Sequence, residues 1–128
     1  MSYGTKENLF NYQAKIIKSL AEKESCIIVG RCADFILKDY ENVIKVFIWA
    51  PHSVCVKTVM DMFGMSEKDA DKKIRKINKH RSEHYHYYTC REWDNARNYD
   101  LCLNSAELGF KGCTEAIKAY INVLKDVK

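Results

Sequence analysis

Residues 26–34 read CIIVGRCAD: four apolar residues, then a glycine, an arginine and the start of a helical pattern. A short apolar run ended by glycine predicts a buried strand over residues 26 to 29. Open α/β sheets hold their ligands at the carboxyl ends of such strands. Gly30 and Arg31 therefore stand where a ligand would be met. A guanidinium there can grip a phosphate or carboxylate through two parallel hydrogen bonds, whereas a lysine offers only a point charge. The bland reading, a surface arginine after a turn, fits the local pattern equally well.

Outward from this stretch, the chain alternates helix and strand. Before it, residues 6–23 place Leu9, Tyr12, Ile16, Ile17 and Leu20 on one stripe of an amphipathic helix. After it, Ala33, Phe35, Ile36 and Leu37 give a short helix, and residues 39–42 a polar turn. Val43 to Ala50 is almost continuously apolar, as in a parallel strand buried on both faces. Pro51 opens the next helix, with Val54, Val56, Val59, Met60 and Phe63 inward, and Gly64 closes it. Ser66 with Asp69 has capping-box spacing and begins a long polar helix at about Glu67. Residues 99–103 predict a third strand, residues 104–109 a loop, and Phe110, Cys113, Ile117, Tyr120, Ile121 and Leu124 the inner face of a last helix. The expectation is an α/β fold, a parallel sheet with flanking helices, forming one domain over residues 1–128.

Composition sets the outer bounds. With 128 residues, 47% of them hydrophobic, the chain can bury a core without staples. The six cysteines form no CxxC pair and no secretory signal precedes them, so they read as reduced thiols of a cytoplasmic protein. No apolar stretch approaches the roughly 20 residues that span a bilayer. The net charge of +4 points to anions only where the basic residues cluster.

They cluster in KKIRKINKHR. Lys72, Lys73, Arg75, Lys76, Lys79 and Arg81 follow one another with no acidic residue among them. On a helix, Lys72, Arg75 and Lys79 share a face and can converge on one anion. Such a run is also what a solvated face looks like. Binding of single-stranded nucleic acid, with Tyr85, Tyr87 and Tyr88 as stacking platforms, lacks a recognisable reader motif. A zinc site from His80, His84 and Cys90 lacks both the HExxH glutamate and a second ligand cluster, so no metal ligands are assigned. The five glycines, at 4, 30, 64, 109 and 112, open neither a GxxxxGK[ST] loop nor a GxGxxG turn.

The segments SCIIVGRCADFIL, NVIKVFIWAP, IRKINKHRSEHYHYYTCREW and NYDLCLNS, in that order, resemble the cytidylate kinase-like family of P-loop nucleotide kinases, from about Leu9 to Ile117. The resemblance implies a nucleoside monophosphate kinase fold, with an amino-terminal P-loop, a monophosphate-binding region and a lid. It implies transfer of a phosphoryl group from ATP, with Mg²⁺, to a nucleoside monophosphate. Gly30 and Arg31 match the Gly-Arg beside the monophosphate. Arg75, Lys76, Lys79 and Arg81 look like the lid, a segment of about residues 66–95 whose cations surround the transferring group. Two departures qualify the likeness. Cys32 stands where the better-known cytidylate kinases carry aspartate, so a pyrimidine preference does not carry over. The P-loop is absent from these residues, as if the chain began at the helix that follows it. The alternative from another class is a non-catalytic anion- or nucleotide-binding kinase remnant, with a homodimer covering an exposed sheet edge.

Overall fold

The computed structural model describes residues 2–128, with side-chain surroundings from residue 7 onward. Two compact units divide the chain, one ending at Val43 and the other running from Ile44 to Lys128.

In the first unit, helix α1 (Ser2–Lys23) packs on the single-turn helix α2 (Ala33–Ile36). Ile17, Ala33, Ile36 and Leu37 are buried, and the Tyr40 hydroxyl donates to the Glu22 carboxylate at 2.6 Å. The expected inner stripe of α1 is only partly covered. Ile17 is inside, but Leu9, Tyr12, Ile16 and Leu20 are exposed, because α2 is too short to cover more than one side.

Residues 25–29 correct the expectation drawn from CIIV. They have no regular secondary structure, and Ile27 and Val29 are 93% and 85% exposed. An apolar run becomes a strand only when a neighbouring strand takes its N–H and C=O groups, and no strand lies alongside it among the described residues.

The second unit holds two parallel strands, β1 (Val46–Trp49) and β2 (Leu101–Asn104), paired Val46 to Leu101 through Trp49 to Asn104. Asp100 pins the start of this pairing. Its carboxylate accepts the Lys45 N–H at 2.8 Å, while the Asp100 and Leu101 N–H groups donate to the Lys45 carbonyl. Ser105 pins the other end, its hydroxyl donating to the Trp49 carbonyl at 3.1 Å. Burial of β1 on both faces is not found. Ile48 and Trp49 are exposed, since a two-stranded sheet leaves β1 neighbours on one side only. Around the start of β1, Phe47 stacks on Tyr99 and meets Trp93 edge-on, with ring centres 4.9 and 5.3 Å apart.

Between the strands run α3 (His52–Phe63) and α4 (Glu67–Thr89). Pro51 stands at the amino end of α3, and Gly64 at φ +65° ends it, giving its N–H to the Met60 carbonyl. The Ser66 hydroxyl then caps α4 by accepting the Asp69 N–H at 3.2 Å, as the capping-box spacing requires. Val56, Ala70 and Ile74 form the core of this helical pair, flanked by Cys55, Val59, Met60 and Met65. Val54 and Phe63, also expected inside, are exposed.

The last helix, α5 (Ser105–Val127), begins where a loop was expected. Asn104 explains the difference: its side-chain oxygen accepts the Ala106 N–H at 3.0 Å and starts the helix directly from β2. Gly109, at φ +68° and ψ 176°, kinks it. Beyond the kink Cys113 is buried, whereas Phe110, expected inside, is 91% exposed. No helix among the described residues is long and apolar enough to cross a membrane.

Candidate functional site

The Gly-Arg pair lies in the first unit, on a backbone that the sequence did not announce. Gly30, Arg31 and Cys32 all adopt the left-handed conformation, at φ 67°, 60° and 57°. Only glycine does so without a Cβ clash, so Arg31 and Cys32 each carry strain of about 1–2 kcal/mol. The turn is closed by the Ala33 N–H donating to the Gly30 carbonyl at 3.1 Å. Such strain is characteristic of places where a side chain is held for use. Arg31 is exposed, while Cys32 beside it is buried. Burial, assisted by the charge of Asp34, pushes the Cys32 thiol up to about 11.

The basic residues lie in the second unit, on α4. At about 100° of rotation per residue, Lys68, Asp71, Lys72, Arg75 and Lys79 fall on one outer face. Arg81 falls elsewhere, roughly 200° around from Lys79 and in line with buried Ala70, Ile74 and Tyr85. Its guanidinium lies over the Trp93 ring, 5.9 Å from the centre. Arg75 and Lys79 are thus brought together, and Arg81 is turned to the other side. Lys79 has a loose contact with Glu83 at 3.9 Å.

Arg75 has a firmer partner. Its Nε donates to both carboxylate oxygens of Asp71, at 3.0 and 3.2 Å. Asp71 Oδ1 also lies 2.5 Å from Nε2 of His52, the first residue of α3. The hydrogen bond from His52, followed by that from Arg75, holds the Asp71 carboxyl below the usual carboxylate range. His52, Ser53, Val56, Ser66, Glu67, Lys68 and Asp71 line an open depression where the amino ends of α3 and α4 meet. The sequence reading missed Asp71 and His52. Asp71 was detectable, four residues before Arg75 and one before the basic run, whereas His52 reaches it only through packing of α3 on α4.

Tyr87 and Tyr88 lie edge-to-face, and His84 meets Tyr88 with ring centres 4.9 Å apart. The His80 and His84 rings are 6.3 Å apart. No group of three or more His, Cys, Asp or Glu suited to a metal occurs among the described residues. Asn98, Tyr99 and Asp100 serve the fold: Asn98 donates to the Glu92 carbonyl, Tyr99 to the Trp93 carbonyl, and Asp100 fixes the strand register.

A family model described as the cytidylate kinase-like family matches residues 2–107, which include Gly30, Arg31 and all of α4. The chain belongs to that family. A similar solved structure is the crystal structure of an uncharacterized protein from Eubacterium ventriosum ATCC 27560, 36% identical, with a TM-score of 0.79. The match covers 89% of this chain and 63% of that one, so the 128 residues span less than two thirds of its length. No curated protein matches the chain. Cytidylate kinase-like membership makes this a kinase-like chain, with a parallel strand pair and flanking helices.

Proposed function

We propose that this cytidylate kinase-like chain supplies the acceptor and lid side of a nucleoside monophosphate kinase of P-loop fold, transferring a phosphoryl group from ATP to a nucleoside monophosphate. The observation that carries the reading is the outer face of α4, where Arg75 and Lys79 stand one turn apart in a chain of this family. Phosphoryl transfer depends mainly on positioning and on compensating the charge of the equatorial oxygens, which suits paired cations on a long, solvated helix. Arg31 holds the acceptor phosphate, from a strained turn that Gly30 opens. Arg75 and Lys79, aided by Lys76, meet the transferring group, and Arg81 contributes from the Trp93 side. The 128 residues act as one domain, with residues 66–95 as its lid, in a cytoplasmic protein. Mg²⁺ accompanies ATP in such kinases. The described residues gather no acidic cluster to hold it.

Phosphoryl transfer with ATP and Mg²⁺, assayed across CMP, dCMP, UMP and AMP in a version that also carries a P-loop, tests the reading. Arg31→Ala is expected to lower kcat/KM for the acceptor by about tenfold or more. An unchanged kcat/KM would remove Arg31 from the site. A second reading rests on the sequence itself, in which none of the five glycines opens a GxxxxGK[ST] cradle. On that reading the chain is a nucleotide-binding module, with a second copy covering the open edge of β1. Thermal stabilisation by nucleotide without any turnover, together with a dimeric mass, would favour it.

A further inference from the structure

We infer that Asp71 and His52 form an exchange latch on Arg75, so that an anion drawing Arg75 off Asp71 causes His52 to take up a proton from solvent. This rests on the reading of Arg75 as a phosphate-binding residue and adds a pH control to that site.

The geometry supplies each part. Both oxygens of Asp71 are engaged by Arg75 Nε, and one of them also by His52 Nε2 at 2.5 Å. Arg75 gives its Nε–H to Asp71, and a phosphate that takes the bidentate grip through Nε and Nη competes for that donor and draws Arg75 from Asp71. A carboxylate deprived of its cation costs free energy unless another donor compensates it. His52 is already in contact, and imidazole is the side chain that can gain a proton without a large change of pH, so it can become that cation. Losing Arg75 from Asp71 and gaining an anion nearby both favour the imidazolium.

Among the described residues, Glu67, Lys68 and Asp71 from α4 and Ser53 and Val56 from α3 line the same depression as His52, with Arg75 behind Asp71. Glu67 and Lys68 carry opposite charges, which leaves Asp71 as the partner that sets the response. The His52 and Asp71 side chains are 39% and 38% exposed, so a proton can reach the pair from solvent.

Calorimetric titration of the chain with inorganic tripolyphosphate, at pH 6, 7 and 8 and in two buffers of different ionisation enthalpy, tests the latch. Protons taken up by the ligand itself cancel on comparison with His52→Gln. The wild type is expected to take up more protons than His52→Gln at pH 7. Its affinity should fall from pH 6 to pH 8 by about fivefold more than that of the variant, the low end of ordinary coupling. Asp71→Asn should bind at least as tightly as wild type and lose the excess uptake, whereas Arg75→Ala should bind more weakly. In the wild-type chain, the His52 ring resonances followed by NMR should titrate at higher pH when tripolyphosphate is present, a readout that needs no variant to fold. Equal proton uptake by wild type and His52→Gln, with binding still dependent on Arg75, would overturn the latch and leave the phosphate site standing. Binding indifferent to Arg75→Ala would overturn both.

Discussion

Cys32 is the residue at which burial and chemistry oppose each other most plainly. Its neighbour Arg31 is exposed, yet the Cys32 side chain is turned inward, and loss of solvation there raises its thiol to about 11. Only the thiolate is a strong nucleophile. Alkylation by iodoacetamide near pH 7.5 is therefore expected to modify exposed Cys26, Cys90 and Cys102 well before buried Cys32, as peptide mass spectrometry would record. Modification of Cys32 at the rate of Cys26 would contradict the buried turn. The linked stability has a definite sign. The folded state favours the neutral thiol, so its contribution is full below the ordinary value of 9.0 and is lost as pH rises toward about 11. Asp71 behaves oppositely, since its depressed carboxyl contributes above the usual carboxylate range and loses that contribution as pH falls below it. At this scale the sequence put Arg31 forward as a residue able to grip an anion. The left-handed backbone of Arg31 and Cys32 was hidden, because neither residue type favours that conformation and only the turn's surroundings impose it.

At the scale of elements, the α3–α4 pair was legible almost throughout, because its signals are local. Pro51 opens α3, Gly64 ends it, and Ser66 caps α4 with the spacing that the sequence displays. Gly64 offers a clean measurement. A Cβ there would meet no atom within 4 Å, so Gly64→Ala tests the left-handed backbone alone. The expected loss is about 1–2 kcal/mol in denaturant unfolding. Ile74→Ala, which empties part of the core shared with Val56 and Ala70, should cost about 2–5 kcal/mol in the same experiment. A Gly64 variant as costly as the Ile74 variant would mean that the turn is packed rather than open. The strand expected at residues 26–29 failed for the complementary reason. Its apolar pattern is local, but a strand is defined by its partner, and Ile27 and Val29 project into solvent without one. Asn104 lies between these cases: its cap on α5 involves only Ala106, two residues away, yet polar residues after a strand read as a loop.

On the scale of the whole molecule, the question is whether a charge of +4 acts diffusely or through one face. A diffuse excess would attract any polyanion weakly and would lose that attraction steadily as salt is added. The outer face of α4 concentrates Lys68, Lys72, Arg75 and Lys79 within about three turns, countered by Asp71 and Glu83. Screening acts over about 10 Å at 0.1 M salt and about 3 Å at 1 M, so cations grouped this closely should act together in dilute buffer and separately in strong salt. Tripolyphosphate affinity is therefore expected to fall by about tenfold between 0.05 and 0.5 M NaCl, with a shallower slope for Arg75→Ala or Lys79→Ala. Replacing Lys111 or Lys118 on α5 changes the net charge equally without touching this face. If those replacements flatten the slope as much as Arg75→Ala does, the attraction belongs to the net charge, and α4 is only a solvated helix. If only the α4 variants flatten it, the helix recognises the anion as a unit, the first thing that a lid over transferring phosphates has to do.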